Sequence, residues 1–324
     1  MTTAPPLRTA ATQVPTRRTP PKTIQQLASL RRAFSKLPPR FDPVAWAALS
    51  GLDWSVCETP VTYQPQTLLP EPGMSFESMK VLYRSDNLQP LAIVPSHHRA
   101  QQPLDALTFY ARLASFYDWR VCAASSMQGG KLWWCLLETG DRATVIGTGE
   151  ELVCTLILSM ECESSFGASM QAMWHVVSSG VWLPGAIDDG KPVKIPNSPE
   201  FLSPETMMDI GLGLSKAVGL LNTLDGLSRV RVQPDAAQKY VLRLLEGQRS
   251  GTQRGLQATA ATLLQQSIVP QQWHTAWSLL RAFAIYVDTG QLRGSELNRL
   301  ESTWNGIGYL AKRDALRLSV NFLG

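Results

Sequence analysis

The chain has 324 residues, 44% of them hydrophobic, enough for one large domain or two with a real core. Five cysteines without any Cys-x-x-Cys spacing argue against a disulfide framework and a structural zinc site, and no apolar run reaches a bilayer-spanning length. The net charge of +4 conceals an asymmetry: residues 1–40 hold eight of the 30 basic residues and none of the 26 acidic ones, which leaves 22 against 26 in the remainder.

Residues 1–23 are rich in Thr, Pro, Ala and Arg and have too few large apolar side chains to repay ordering entropy. They read as a flexible basic arm, either a nucleic-acid contact or a plain solvated tail. Nothing in the arm resembles the apolar core of a signal peptide, so a cytoplasmic protein that is neither exported nor membrane-embedded is expected. From Thr23, the spacing of Ile24, Leu27, Leu30 and Phe34 predicts a helix that stops at Pro38-Pro39. A second short helix is expected over Pro43 to Leu49, followed by extended pieces at Trp54–Cys57 and Thr59–Tyr63.

Met79 to Leu137 carries the densest pattern. Two apolar runs flank Ser85-Asp86-Asn87, a turn sequence, and make a first hairpin. A helical run to Tyr117 leads to a second hairpin turning at Met127-Gln-Gly-Gly130, where glycine supplies the positive φ of a tight turn. The two hairpins are expected to share one small twisted sheet with a helix on one face. Strands continue at Arg142–Ile146 and Glu151–Met160, the latter apolar on both faces and hence central, and across Ala168–Trp182. Gly185 to Ser203 reads as a loop or hinge. Beyond it the period changes to 3.6, with helices over Glu205–Leu224, Pro234–Gly247, Leu256–Ser267, His274–Thr289 and Asn305–Phe322. The fold class that results is α+β: a twisted, mainly antiparallel sheet with helices on one face, followed by an all-helical C-terminal half. Its parts are the arm (1–23), a strand-rich domain (24–184), the hinge (185–203) and a helical region (204–324).

Chemistry is sparse. Gly147-Thr-Gly149 and Gly211-Leu-Gly213 lack the rest of a phosphate-cradling loop. Adjacent His97 and His98 on a strand would point to opposite faces and could not share one ion. Glu161, Glu163, Asp188 and Asp189 could hold magnesium or be solvated strand ends, and His175 reads as a half-buried structural residue. No catalytic constellation can be assembled, so enzymatic activity is unsupported and no cofactor is implied. The aromatics point elsewhere. Tyr83, Trp119, Trp133 and Trp134 lie next to Arg84, Arg120 and Lys131 on the hairpins, whose strand ends also carry Arg99, a combination that holds single strands by stacking and phosphate contact. For each ring taken singly, core or sheet-surface packing is the commoner role.

Taken together, Tyr83-Arg-Ser-Asp-Asn87, Pro95 to Gln102, Gly129-Gly-Lys-Leu-Trp133, Glu163-Ser-Ser-Phe-Gly-Ala168, Thr275-Ala-Trp277, Val287-Asp288, Trp304-Asn-Gly306 and Leu310-Ala-Lys312 resemble a phage/plasmid-like family of domains of unknown function. The order of strands and helices is also similar to that of single-strand annealing recombinases. That resemblance implies a homo-oligomeric protein of a mobile element that binds and anneals single-stranded DNA in recombination or replication without nucleotide hydrolysis. Partners of that kind include an exonuclease or a single-strand-binding protein. Arg84, Arg99, Arg120 and Lys131 would be phosphate contacts, with Tyr83 and Trp133 as stacking partners. The chain departs from the pattern at Glu161-Cys-Glu163 and at Trp174–Ser179, where relatives carry His-Asp-Gly-like and Arg-Val-x-Cys-x-Asn-like groups. Two alternatives stand beside this reading: a non-enzymatic interaction or regulatory protein of the element, and a metal-dependent nuclease using Glu161, Glu163 or Asp189.

Overall fold

The computed structural model describes residues 42–64, 73–164, 167–187, 192–196, 203–246, 253–267, 274–290, 296–304 and 306–321. The expected arm, the helix from Thr23, and Asp188 and Asp189 lie outside the described residues. Helix α1 (Pro43–Ser50) opens with Asp42, whose carboxylate accepts from Val44 N at 3.0 Å, and closes at Gly51 with φ +66°. Proline in the first turn and left-handed glycine after the last one set both ends.

The two hairpins belong to different sheets, which corrects the expectation of a single shared one. Strands β1 (Val56–Tyr63), β2 (Met74–Arg84) and β3 (Pro90–Pro95) form a three-stranded antiparallel sheet. Helix α2 (Pro103–Phe116) then leads to β4 (Arg120–Met127), β5 (Leu132–Val145), β6 (Glu150–Glu161), β7 (Ala168–Val176) and β8 (Val181–Pro184), consecutive antiparallel neighbours. Strand β9 (Val193–Ile195) pairs with the other half of β7 and completes a six-stranded sheet. Strand β6 sits between β5 and β7, as its two apolar faces require. The long strand expected over Ala168–Trp182 is in fact β7 and β8, folded back at Val177–Gly180, where Gly180 takes φ +68°.

Helices cover both faces of this sheet, not one. Trp133 and Trp134 are neighbours on β5, so their rings project to opposite sides, and both are fully buried. On one side the Tyr110 hydroxyl of α2 donates to Trp133 O at 3.1 Å, and Trp174 Nε1 of β7 donates to Ala217 O of α3 (Pro204–Arg229) at 2.9 Å. On the other, Trp134 meets Trp304 edge-on at 4.8 Å between ring centroids, and Trp304 meets Trp182 of β8 at 5.8 Å.

The C-terminal half is not all-helical either. After α3 the chain forms β10 (Arg231–Val232), α4 (Pro234–Glu246), α5 (Gln253–Ser267), β11 (His274–Thr275), α6 (Ala276–Gly290), α7 (Glu296–Trp304) and α8 (Ile307–Asn321). Strands β10 and β11 pair, so a small antiparallel ladder is interspersed among the helices. His274 therefore belongs to a strand, and α6 starts two residues later. Ser278 N donates to Thr275 Oγ1 at 3.0 Å while Thr275 N donates to Ser278 Oγ at 2.9 Å, a reciprocal cap. Part of the expected hinge is likewise strand β9, and α7 has no counterpart in the sequence reading. Strands and C-terminal helices share one apolar cluster that joins Leu152, Cys154 and Trp174 to Ala217, Trp277 and Phe283.

Candidate nucleic-acid interface

The six residues singled out by sequence do not form one surface. Arg84 is turned inward: its guanidinium lies 4.2 Å over the Trp54 ring, pairs with Asp86 at 2.6 Å and donates to Gly129 O at 3.3 Å. It bolts the first hairpin to the turn of the second, and the bond from Arg84 holds the Asp86 carboxyl below its ordinary range. Gly130 is required there, because with φ +107° any Cβ would stand 3.0 Å from both Arg84 and Trp54. Arg120 is paired across the ladder with buried Glu138. Trp133 has no exposed surface and packs on Trp54 at 6.2 Å, so it cannot stack on a base without leaving the core. Tyr83 is half-buried on β2, while Arg99 and Lys131 are exposed.

The carboxylates and histidines do not converge. Among the described residues no group of three or more His, Cys, Asp or Glu side chains could hold a metal ion. His175 lies against the Trp182 ring at 4.6 Å. Burial pushes the thiols of Cys154 and Cys162 up to about 11, which marks them as inert core groups.

A different arrangement emerges from strand register. Directly paired residues share a face, so Ser125, Trp134, Ser159, Ser169 and Lys194 form one row across β4, β5, β6, β7 and β9. Gln171 and Glu161 lie beside this row, two residues along from Ser169 and Ser159. Above Ser159, Glu161, Ser169, Gln171 and Lys194 is a cavity of about 530 Å³, walled on its far side by Glu301 of α7 and by Tyr309 and Arg313 of α8. A second cavity of about 420 Å³ shares Gln171, Pro192, Lys194 and Tyr309 with the first and continues to Asp209 and Lys216 on α3. The two make one groove. From Leu132 on β5 to Lys194 on β9 it crosses three interstrand steps, about 14 Å at the usual strand spacing.

The wall of helices is fixed from behind. Lys312, next to Arg313, is fully buried and donates to Asp288 Oδ1 at 2.7 Å. Asp288 also accepts from Thr303 Oγ1 at 3.1 Å and from Trp182 N at 3.3 Å, which ties α6, α7, α8 and β8 to one carboxylate. Burial pushes the Lys312 ammonium below its ordinary value, and Asp288 partly restores it. With α8 so anchored, Tyr309 and Arg313 line the groove.

The model of a domain of unknown function, DUF932, matches residues 90–304, about two thirds of the chain. The chain belongs to the DUF932 family. No curated protein and no solved structure matches it. The DUF932 segment opens at β3 and closes with α7, so it contains the sheet floor of the groove and Glu301. Tyr309, Arg313 and most of the first sheet lie outside it. Sequence reasoning missed Lys194, Arg313 and the serine row. A signal existed for the row: Ser159 with Glu161, and Ser169 with Gln171, put polar residues two apart in otherwise apolar strands.

Proposed function

We propose that the protein binds single-stranded DNA along this groove and acts, self-associated and without nucleotide hydrolysis, in strand annealing on a mobile element. The observation that carries the reading is the groove itself. It is an open channel floored by hydroxyl and amide side chains, with Lys194, Arg313 and Lys216 for phosphates and Tyr309 at its midpoint for a base. Exposed Lys131 stands beside Gln128 and Leu132 at one end of the channel. The resemblance to phage/plasmid-like proteins and annealing recombinases supplies the mobile-element setting and the annealing step.

The test is fluorescence anisotropy of labelled single- and double-stranded oligonucleotides at two salt concentrations, for the natural protein and for Lys194→Ala/Arg313→Ala. Expected is a preference for the single strand that weakens with salt. In the variant the log–log salt slope should be shallower by about 1.4, at about 0.7 per phosphate contact. No binding at low salt would sink the proposal. A second reading, a non-enzymatic protein-interaction module, is favoured by one feature: Glu161, Glu301 and Asp209 offset the three cations, a balance better suited to a peptide than to a polyanion.

A further inference from the structure

Strand β3 pairs only with Met79–Tyr83, so Val61–Tyr63 and Met74–Phe76 pair with each other and, among the described residues, with no third strand. A two-stranded ribbon is marginal in water unless one face is covered. Register puts Val61 opposite Phe76 and Tyr63 opposite Met74, so all four side chains share one face. Tyr63, Met74 and Phe76 are 47%, 50% and 50% exposed. The charges alongside are Glu58, Glu77 and Lys80, and Lys80 is held by Glu58 at 2.8 Å. An apolar stripe bordered by carboxylates and a neutralised lysine does not suit DNA or an anionic membrane. It suits an apolar protein surface.

The chain carries one such surface elsewhere. Helix α3 exposes Met208 (72%), Leu212 (53%) and Val218 (47%) on its outer side. Gly211 and Gly219 lie among them, and a Cβ on either would meet nothing within 4 Å. Mid-helix glycines weaken a helix, and no contact among the described residues explains these two. What they provide is a shallow channel in which large side chains can reach the helix backbone.

We infer that the β1–β2 ribbon of one copy packs its Val61–Tyr63–Met74–Phe76 face onto the exposed face of α3 in a second copy. The inference rests on the self-association in the proposed function and identifies its surfaces. Two different patches on one chain make a head-to-tail contact, which propagates into a ring or a filament. Taking about 150–250 Å² per aromatic side chain, the half-exposed ribbon residues offer on the order of 300 Å² of apolar surface. The helix face offers a similar amount, and at an apolar share of about 60% the contact comes to about 1,000 Å², the lower bound of a specific interface.

The experiment is mass measurement in solution, without DNA, on three full-length proteins: the natural chain, Tyr63→Asp/Phe76→Asp and Leu212→Glu/Val218→Glu. The altered positions are exposed, and unchanged circular dichroism and melting confirm folding. The natural chain should assemble, and each variant alone should fall to the mass of one copy, 35.7 kDa. Mixed in equal amounts, the variants should form a species of two copies and no larger, since each retains the patch the other lacks. A natural chain that is monomeric, a variant that still assembles, or a mixture that stays at one copy overturns the inference. Because no DNA is present, its failure is read separately from failure of strand binding.

Discussion

Removal of the Lys312 ammonium tests whether one buried ion pair holds the groove wall in place. In Lys312→Met the stem is replaced by a side chain of similar shape, but Asp288 keeps its charge inside the protein, with Thr303 Oγ1 and Trp182 N as the remaining donors among the described residues. Breaking a buried pair from one side costs about 3–5 kcal/mol. For a chain of this size that lowers the thermal midpoint by about 6–20 °C, at about 2–4 °C per kcal/mol. Denaturant unfolding followed by circular dichroism should show the midpoint falling at constant slope, the mark of lost stability and not of altered compactness. The double variant Lys312→Met/Asp288→Leu should regain most of the loss, because the uncompensated charge is gone. It should stop short by about 1–3 kcal/mol, since the Trp182 N–H then has no acceptor. A loss under about 1 kcal/mol in Lys312→Met would refute the reasoning, because the ion pair would then not be what anchors α8.

Arg84→Ala should destabilise the protein by about 1–3 kcal/mol, through its lost contacts with Trp54, Asp86 and Gly129 O, while strand affinity measured well below the melting point stays unchanged. A tenfold loss of affinity with unaltered stability would return Arg84 to the binding surface. Gly130→Ala should cost about 1–3 kcal/mol by differential scanning calorimetry, because a Cβ at φ +107° meets both Arg84 and Trp54 at 3.0 Å. His274, whose Nδ1 lies 2.8 Å from Ser267 Oγ, is held by burial below its ordinary value of 6.5. The unfolded chain therefore takes up the proton first as pH falls below 6.5, and stability declines from there until the folded value is passed. Melting midpoints between about pH 7 and about pH 5 should show this decline, and His274→Asn should flatten it.

What the sequence made legible is what local chemistry decides. Asp42, Pro43 and Gly51 mark α1 with a cap, a first-turn proline and a left-handed stop, and Ser85-Asp-Asn87 marks a turn. The two-sided apolar run of β6 announces a central strand. What stayed hidden depends on pairing over distance. Whether two hairpins share a sheet is not written in either of them; it is decided by α2 and by Arg84, which holds them edge to turn as parts of separate sheets. The two-residue strands β10 and β11 carry too few side chains for any periodicity, and they form only because α5 and α6 bring His274 back to Val232.

The same distinction separates Arg84 from Arg313. Arg84 looked like a binding residue because it stands beside aromatics on a hairpin, yet an aromatic one hairpin away is also what a guanidinium packs on, and Trp54 uses it so. Arg313 had no such signal. Its neighbour Lys312 sits among apolar residues on α8, where a charge is admissible only with a partner, and that partner, Asp288, lies on another helix. The lysine is sequestered because α8 turns that side toward α6, and the same rotation leaves the next residue on the groove. A buried cation followed by a groove-lining one is therefore a single structural fact, visible only once Asp288 is placed. Exchanging the pair, Lys312→Arg/Arg313→Lys, should then impair both functions of the motif: the larger guanidinium does not fit the enclosed site at Asp288, and stability should fall together with strand affinity. Unchanged melting in that variant would mean that α8 is positioned by its apolar contacts with α6 and not by the ion pair.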